Sequence, residues 1–355
     1  MKRFAVLYDE KLKEYDLGHV LKADRYQNFM DHFQSKLGDH PDFEIVSPPY
    51  ATHHDLRLVH TPAYIQRIER CESRDPLDTP LSPEFVRATK LLAGAGKLAG
   101  ELVQQERCEK AVVVGGGVQH ASRSCEKGFG VFSDVGICAE NLMQHFNLEK
   151  ILIVDTDAHA GDGIYEIFCE DPRVLFISVH QDPRTLYPGT GFINQMGEGA
   201  GKGYSVNIPL LPGAGDKSYA YVMEEIVFPL GERFLPQMIL MVDGCDPHVT
   251  DQITQMGLSL AGIRQIGEKM GQLARTVCKG KLIDFVGSGY NDNPDTVSLG
   301  WLASISGVTG VRIDLQEPKM IPTHISPEPG LKETREVVDL LKQRLNPYWG
   351  YLGSP

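Results

Sequence analysis

The chain has 355 residues, 42% hydrophobic and 23% charged, with a formal net charge of −12. That size allows one large core in a single domain spanning 1–355, and the acidic balance disfavours a nucleic-acid binder, which needs clustered Lys and Arg, while tolerating a cationic substrate. The 7 cysteines (Cys71, Cys108, Cys125, Cys138, Cys169, Cys245, Cys278) form no Cys-x-x-Cys pair and read as reduced thiols, and the N-terminal apolar stretch breaks at Asp9, so a cytoplasmic protein without a membrane partner is expected.

Read along the chain, helix-like stretches at 82–104, 133–146, 161–170, 216–235 and 260–276 interleave with short β-branched runs at 110–116, 150–155, 173–180, 204–210, 238–244 and 281–289. Most of these runs lack apolar/polar alternation, as do strands buried on both faces of a parallel sheet. The pattern predicts an α/β fold: a central, mostly parallel sheet flanked by helices on both faces. A last helix over about 331–345 is expected to pack on the outside. Ligands of such sheets sit at the carboxyl ends of the strands, so the residues just past each run carry the functional reading.

Past 150–155 the chain reads "DTDAHAGDG", residues 155–163. Asp155, Asp157 and His159 are spaced by two and project to one side of an extended chain. Taken singly, Asp157 could be a turn residue, His159 a core histidine and Asp162 a helix cap. Gathered at one strand end, they point to a divalent cation held by three protein ligands with a position left for water. The third ligand must come from another loop; Asp251 in "DGCDPHVTD" is the best candidate, with Asp243, Asp246 and His248 competing.

In chain order, "GGVQHA", "GFGVFSDV", "ILIVDTDAHAGDG", "SVHQDP…YPGTG", "GCDPHVTDQ" and "GSGYN", with a weaker echo in "LVHTPAYI" at 58–65, resemble the histone deacetylase family of zinc-dependent amidohydrolases. The resemblance implies an arginase/deacetylase-like fold and zinc bound by Asp157, His159 and Asp251. It implies His120 as general base, Asp162 as the carboxylate that orients it and Tyr290 as donor to the oxyanion. It further implies a structural potassium ion held by Asp155, the Ser178 hydroxyl and main-chain oxygens of Asp157, His159, Ser178 and Val179. Gly128, Phe129 and Tyr187 would line an acyl-lysine channel. The chemistry needs these types: an amide is a poor electrophile, an imidazole can take and return a proton near neutral pH, and a phenol can stabilise the oxyanion.

The sequence departs from the family pattern at Gln119, where a second histidine is usual. Gln119 can still donate to Asp155 but carries no proton charge, so activity is expected with a displaced pH optimum. Ser133 stands where Asn is usual, which predicts weaker support behind the site. Ile253 occupies the position where polyamine-selective relatives carry a glutamate, so an acyl-lysine peptide or protein is favoured over an acetylpolyamine or other small amide. An arginase-like ureohydrolase with two manganese ions is the nearest other enzyme; Gly161 makes its Asp-Ala-His-x-Asp motif one residue too long. From a different class, an acyl-lysine-binding pseudoenzyme would keep the channel without turnover. Two carboxylates and an imidazole also accept iron(II), cobalt or manganese.

Overall fold

The computed structural model describes residues 2–18, 20–318, 328 and 330–350. The remaining positions of the expected 1–355 domain lie outside the described residues. In chain order the elements are β1 (Phe4–Leu7), α1 (Asp24–Leu37), β2 (Phe43–Val46), α2 (His53–Leu56), α3 (Pro62–Glu69), α4 (Pro83–Gln104), β3 (Lys110–Val114), α5 (Asp134–His145), β4 (Ile151–Asp155), α6 (Asp162–Phe168), β5 (Val174–Gln181), β6 (Ser205–Leu210), α7 (Asp216–Val222), α8 (Phe228–Phe234), β7 (Met238–Gly244), α9 (Leu260–Cys278), β8 (Leu282–Ser288), α10 (Pro294–Thr309) and α11 (Leu331–Trp349).

The strands form one 8-stranded sheet in the order β2-β1-β3-β8-β7-β4-β5-β6, every pairing parallel. Ile151–Asp155 and Val174–Gln181 are buried throughout, which explains why their sequences do not alternate. Helices α4 and α5 pack together on one face and α9 and α10 on the other, while α11 lies on β6 at the sheet's edge. One apolar core runs continuously from Phe4 to Leu345. No helix among the described residues is long and apolar enough to cross a membrane.

The expected helix over 216–235 is present with a wider π turn, Met223–Val227, between α7 and α8. Pro229 supplies the reason: it has no N–H to continue the ladder at the start of α8. The last helix extends to Trp349, past the expected end at 345.

Candidate metal centre

Strands β4 and β7 are neighbours in register, Asp155 opposite Val242, so the loops leaving their carboxyl ends share one space. Two residues past the end of β4 stands Asp157; two past the end of β7 stands Asp246. Between them His159 Nδ1 lies 3.1 Å from Asp157 Oδ1 and 2.9 Å from Asp246 Oδ2. The ligand atoms of all three residues lie within 4.8 Å of one another, and all three side chains are buried. Main-chain bonds fix them: the His159 N–H donates to Asp157 Oδ1 at 2.7 Å, and Asp246 Oδ1 accepts from the Ala158 N–H at 3.2 Å and the Ser288 hydroxyl at 2.7 Å.

Asp246, not Asp251, thus completes the cluster, which corrects the sequence expectation. Asp251 has its carboxylate occupied elsewhere: Oδ1 accepts the N–H groups of Ile253 (2.9 Å) and Thr254 (3.1 Å), and Oδ2 that of Tyr290 (2.7 Å). It shapes the backbone around Tyr290. Of the other competitors, His248 is engaged with Thr250 and Glu317, and Asp243, whose Oδ1 accepts from the Thr156 hydroxyl, lies outside the three-residue cluster.

The electrostatics favour a cation. Burial alone would push the His159 imidazole down, but the flanking carboxylates of Asp157 and Asp246 outweigh it and push it up to about 10. Burial and repulsion from Asp157 push Asp246 up to about 8. Two carboxylate oxygens and one imidazole nitrogen converging in this acidic pocket fit a divalent ion.

His120 stands beside the cluster, its ring centroid 5.9 Å from that of His159. Its Nδ1 is 2.7 Å from Asp162 Oδ1. An ionised carboxylate can only accept, so Nδ1 is the donor to Asp162. Asp162 is the first residue of α6 rather than a cap before it, and the helix start docks directly on the His120 backbone: the Ile164 N–H donates to the Gln119 carbonyl at 3.1 Å. A Cβ on Gly163 would lie 2.4 Å from the His120 carbonyl oxygen, which is why a glycine stands there.

Tyr290 closes the other side, its ring edge-on to His159 at 6.4 Å and 6.1 Å from Phe129. Burial and the nearby Asp157 carboxylate push its phenol well above its ordinary range, so it is a proton donor at neutral pH. The Tyr187 ring meets His120 edge-on at 5.2 Å and is 44% exposed. Gly128 and Phe129 form a turn with φ of +55° and +65°; a Cβ on Gly128 would fall 2.3 Å from His120 Cδ2, so the turn packs flat on the imidazole. A cavity is lined by Gln119, His120, Gly128, Phe129, Asp157 and Tyr290 among others. Ile253 is half-buried beside Asp251 and does not line it.

Gln119 is buried, but no hydrogen bond from its side chain to Asp155 occurs among the described residues, contrary to expectation. Asp155 instead accepts the Asp157 N–H at 3.1 Å and faces the Ser178 hydroxyl at 3.4 Å, brought opposite it by the β4–β5 register. Burial and repulsion from Asp157 push its carboxyl well up. Val179 follows on β5, fully buried. Ser133 caps α5 by accepting the Gly136 N–H at 3.1 Å, so its difference from Asn leaves no loose helix end.

Sequence reasoning missed two side chains at this site. Arg25, on the buried face of α1, lies over the Tyr290 ring at 5.4 Å, and Lys127 reaches Asp162 Oδ2 at 2.7 Å. The apolar spacing Tyr26, Phe29, Phe33, Leu37 would have revealed α1 and placed Arg25 inward; nothing local marks Lys127.

The sequence matches the histone deacetylase domain over residues 19–308. It is 34% identical over 311 residues to a "Probable deacetylase" of Archaeoglobus fulgidus, covering 85% of this chain and 86% of that one. It is 33% identical over 269 residues to the Acetoin utilization protein AcuC of Staphylococcus xylosus, covering 72% and 69%. In fold it is similar to the crystal structure of the HDA15 HD domain, with a TM-score of 0.86 at 24% identity, covering 99% of this chain and 97% of that one.

Proposed function

Because the chain belongs to the histone deacetylase family, we propose that it hydrolyses the amide of an N-acyl-lysine, acetyl or another short acyl, in a peptide or protein. The observation that carries this reading is the His120–Asp162 pair standing beside a buried two-carboxylate, one-imidazole cluster, with Tyr290 on the cluster's other side.

Asp157, His159 and Asp246 would hold the ion, zinc by family and iron(II) or cobalt by donor chemistry. When bound, that ion supplies carbonyl polarisation and a water of lowered pKa. His120 takes the attacking water's proton at Nε2 and returns it to the leaving lysine amine, while Asp162 keeps Nδ1 protonated and the ring in place. The Tyr290 hydroxyl donates to the oxygen of the acyl carbon as negative charge develops there. Gly128, Phe129 and Tyr187 wall the approach, so an extended aliphatic side chain is the shape that enters. Asp155, the Ser178 hydroxyl and the main-chain oxygens of Asp157, His159, Ser178 and Val179 would hold potassium, whose charge answers the buried Asp155 carboxylate.

The test is deacylation of an acetyl-, lactyl- and longer-acyl-lysine peptide panel by the metal-loaded protein, beside Tyr290→Phe and His120→Ala. Turnover that both variants lose by roughly 100-fold or more supports the reading. A folded, metal-loaded protein that turns over none of the panel overturns it in favour of an acyl-lysine-binding or small-amide role.

A further inference from the structure

Asp162 uses both of its carboxylate oxygens. Oδ1 accepts from His120 Nδ1 at 2.7 Å, and Oδ2 takes the Lys127 ammonium, also at 2.7 Å. Lys127 is the one Lys or Arg paired with this carboxylate among the described residues, and Gln119, beside His120 in the chain, adds no charge. Burial would raise the Asp162 carboxyl, but His120 and Lys127 together hold it below the usual carboxylate range.

The geometry around Lys127 is that of a brace. It opens the turn that presses Gly128 on the imidazole, closed by reciprocal main-chain bonds between Lys127 and Gly130 at 3.0 and 2.9 Å. From that turn its side chain reaches over to Asp162, so one short segment holds both a face of the His120 ring and the carboxylate at its Nδ1 edge. The pair is mostly shielded, with side-chain exposures of 28% for Lys127 and 9% for Asp162, where an ion pair is screened less than at the surface. An aspartate bonded through one oxygen can still turn about its last torsion, which has broad, two-fold preferences. A second bond on the other oxygen removes that freedom.

We infer that Lys127 is a positioning residue: by holding Asp162 Oδ2 it fixes the acceptor that orients His120, and so keeps Nε2 aimed at the reacting water. The inference rests on the proposed hydrolysis, and its test separates the two. Steady-state kinetics on an acetyl-lysine peptide would be run with Lys127→Met and Lys127→Arg, alongside proton NMR of the downfield His120 Nδ1–H resonance, assigned by its absence in His120→Gln.

Lys127→Met is expected to lower kcat roughly 10- to 100-fold, the range seen when a partner behind an active group is removed. KM, bound metal and the thermal midpoint should stay near the parent's, while the resonance moves or broadens. Lys127→Arg, which keeps the charge, should recover most of kcat and the resonance. Parental kcat with an unmoved resonance in Lys127→Met would overturn the inference, as would a defect confined to KM. If the parent itself turns over no acyl-lysine, the proposed hydrolysis fails while the resonance still decides the role of Lys127. Should Lys127→Met fold poorly, Lys127→Gln gives the same readouts, keeping a donor but no charge.

Discussion

The candidate metal cluster and His120 stand side by side yet are built differently. Asp157, His159 and Asp246 follow directly from two paired central strands, so their spacing is set by sheet register. His120, Lys127, Gly128 and Phe129 belong to the long connection between β3 and α5, which has no strand to hold it. Side chains from elsewhere hold it instead. Asp134 accepts the N–H groups of Gly117 and Val118, both at 2.9 Å, and Asp78 accepts that of Gly128 at 2.7 Å. Tyr15 donates to the Phe129 carbonyl at 2.7 Å, and Glu126 is clamped by Arg67 and the Arg74 N–H. Metal affinity should therefore depend on a few residues at strand ends, whereas turnover should depend on many side-chain bonds spread over the first part of the chain.

The largest effect that would test this difference is a paired substitution. Asp246→Ala should leave the purified protein without bound metal and without activity, whereas Asp251→Ala should retain metal and lose activity roughly 10- to 100-fold, because the Tyr290 N–H loses its acceptor. Metal analysis of both decides it; loss of metal from Asp251→Ala as complete as from Asp246→Ala would return Asp251 to the ligand set.

Next in size is Gly163→Ala, which forces a Cβ against the backbone of the His120 connection. It should destabilise the fold by about 1–3 kcal/mol in urea unfolding, the usual range for overpacking, and lower kcat as the two halves separate. An unchanged midpoint would mean the contact is slack.

A smaller, pH-dependent effect belongs to Glu126. Burial would raise its carboxyl, but Arg67 and backbone N–H groups win and hold it below the ordinary value. A folded pKa below the unfolded value of about 4.3 gives stability that is complete above that pH and lost as pH falls through the folded value. The stability gap between the parent and Glu126→Gln should accordingly close on acidification. A gap that stays constant to low pH would assign the effect to packing. Smallest is Gln119→His, which adds a titrating neighbour to His120 and should move the pH–rate profile while leaving maximal kcat within about tenfold; an unmoved profile would make Gln119 a filler.

The same contrast explains what could be read before the structure. The six runs of β3 to β8 were legible because most of these strands are buried throughout and carry unbroken β-branched sequence. β1 and β2 were not, being 4 residues each at the sheet's far edge, with β2 half-exposed. Helix α10 escaped because it is buried nearly all round and has no apolar stripe to count. At the site, Asp155, Asp157 and His159 were legible from spacing and Asp162 only through the family resemblance, while the choice among Asp243, Asp246, His248 and Asp251 was not legible. A positional rule would have picked out Asp246, since it follows the end of β7 by the same two residues as Asp157 follows β4. Lys127 lay beyond reach, because its meeting with Asp162 depends on how the β3–α5 connection folds back.

The run from Asp155 to Asp162 carries two residues of the candidate metal cluster, the carboxylate proposed for potassium and the partner of His120, with a strand at one end and a helix at the other. It works as a fixed ruler. A residue added or removed there would change every spacing at once, because neither flanking element can slide without breaking sheet register or lifting the helix start off His120. Single substitutions can adjust the chemistry of this stretch, but its length is not free to vary.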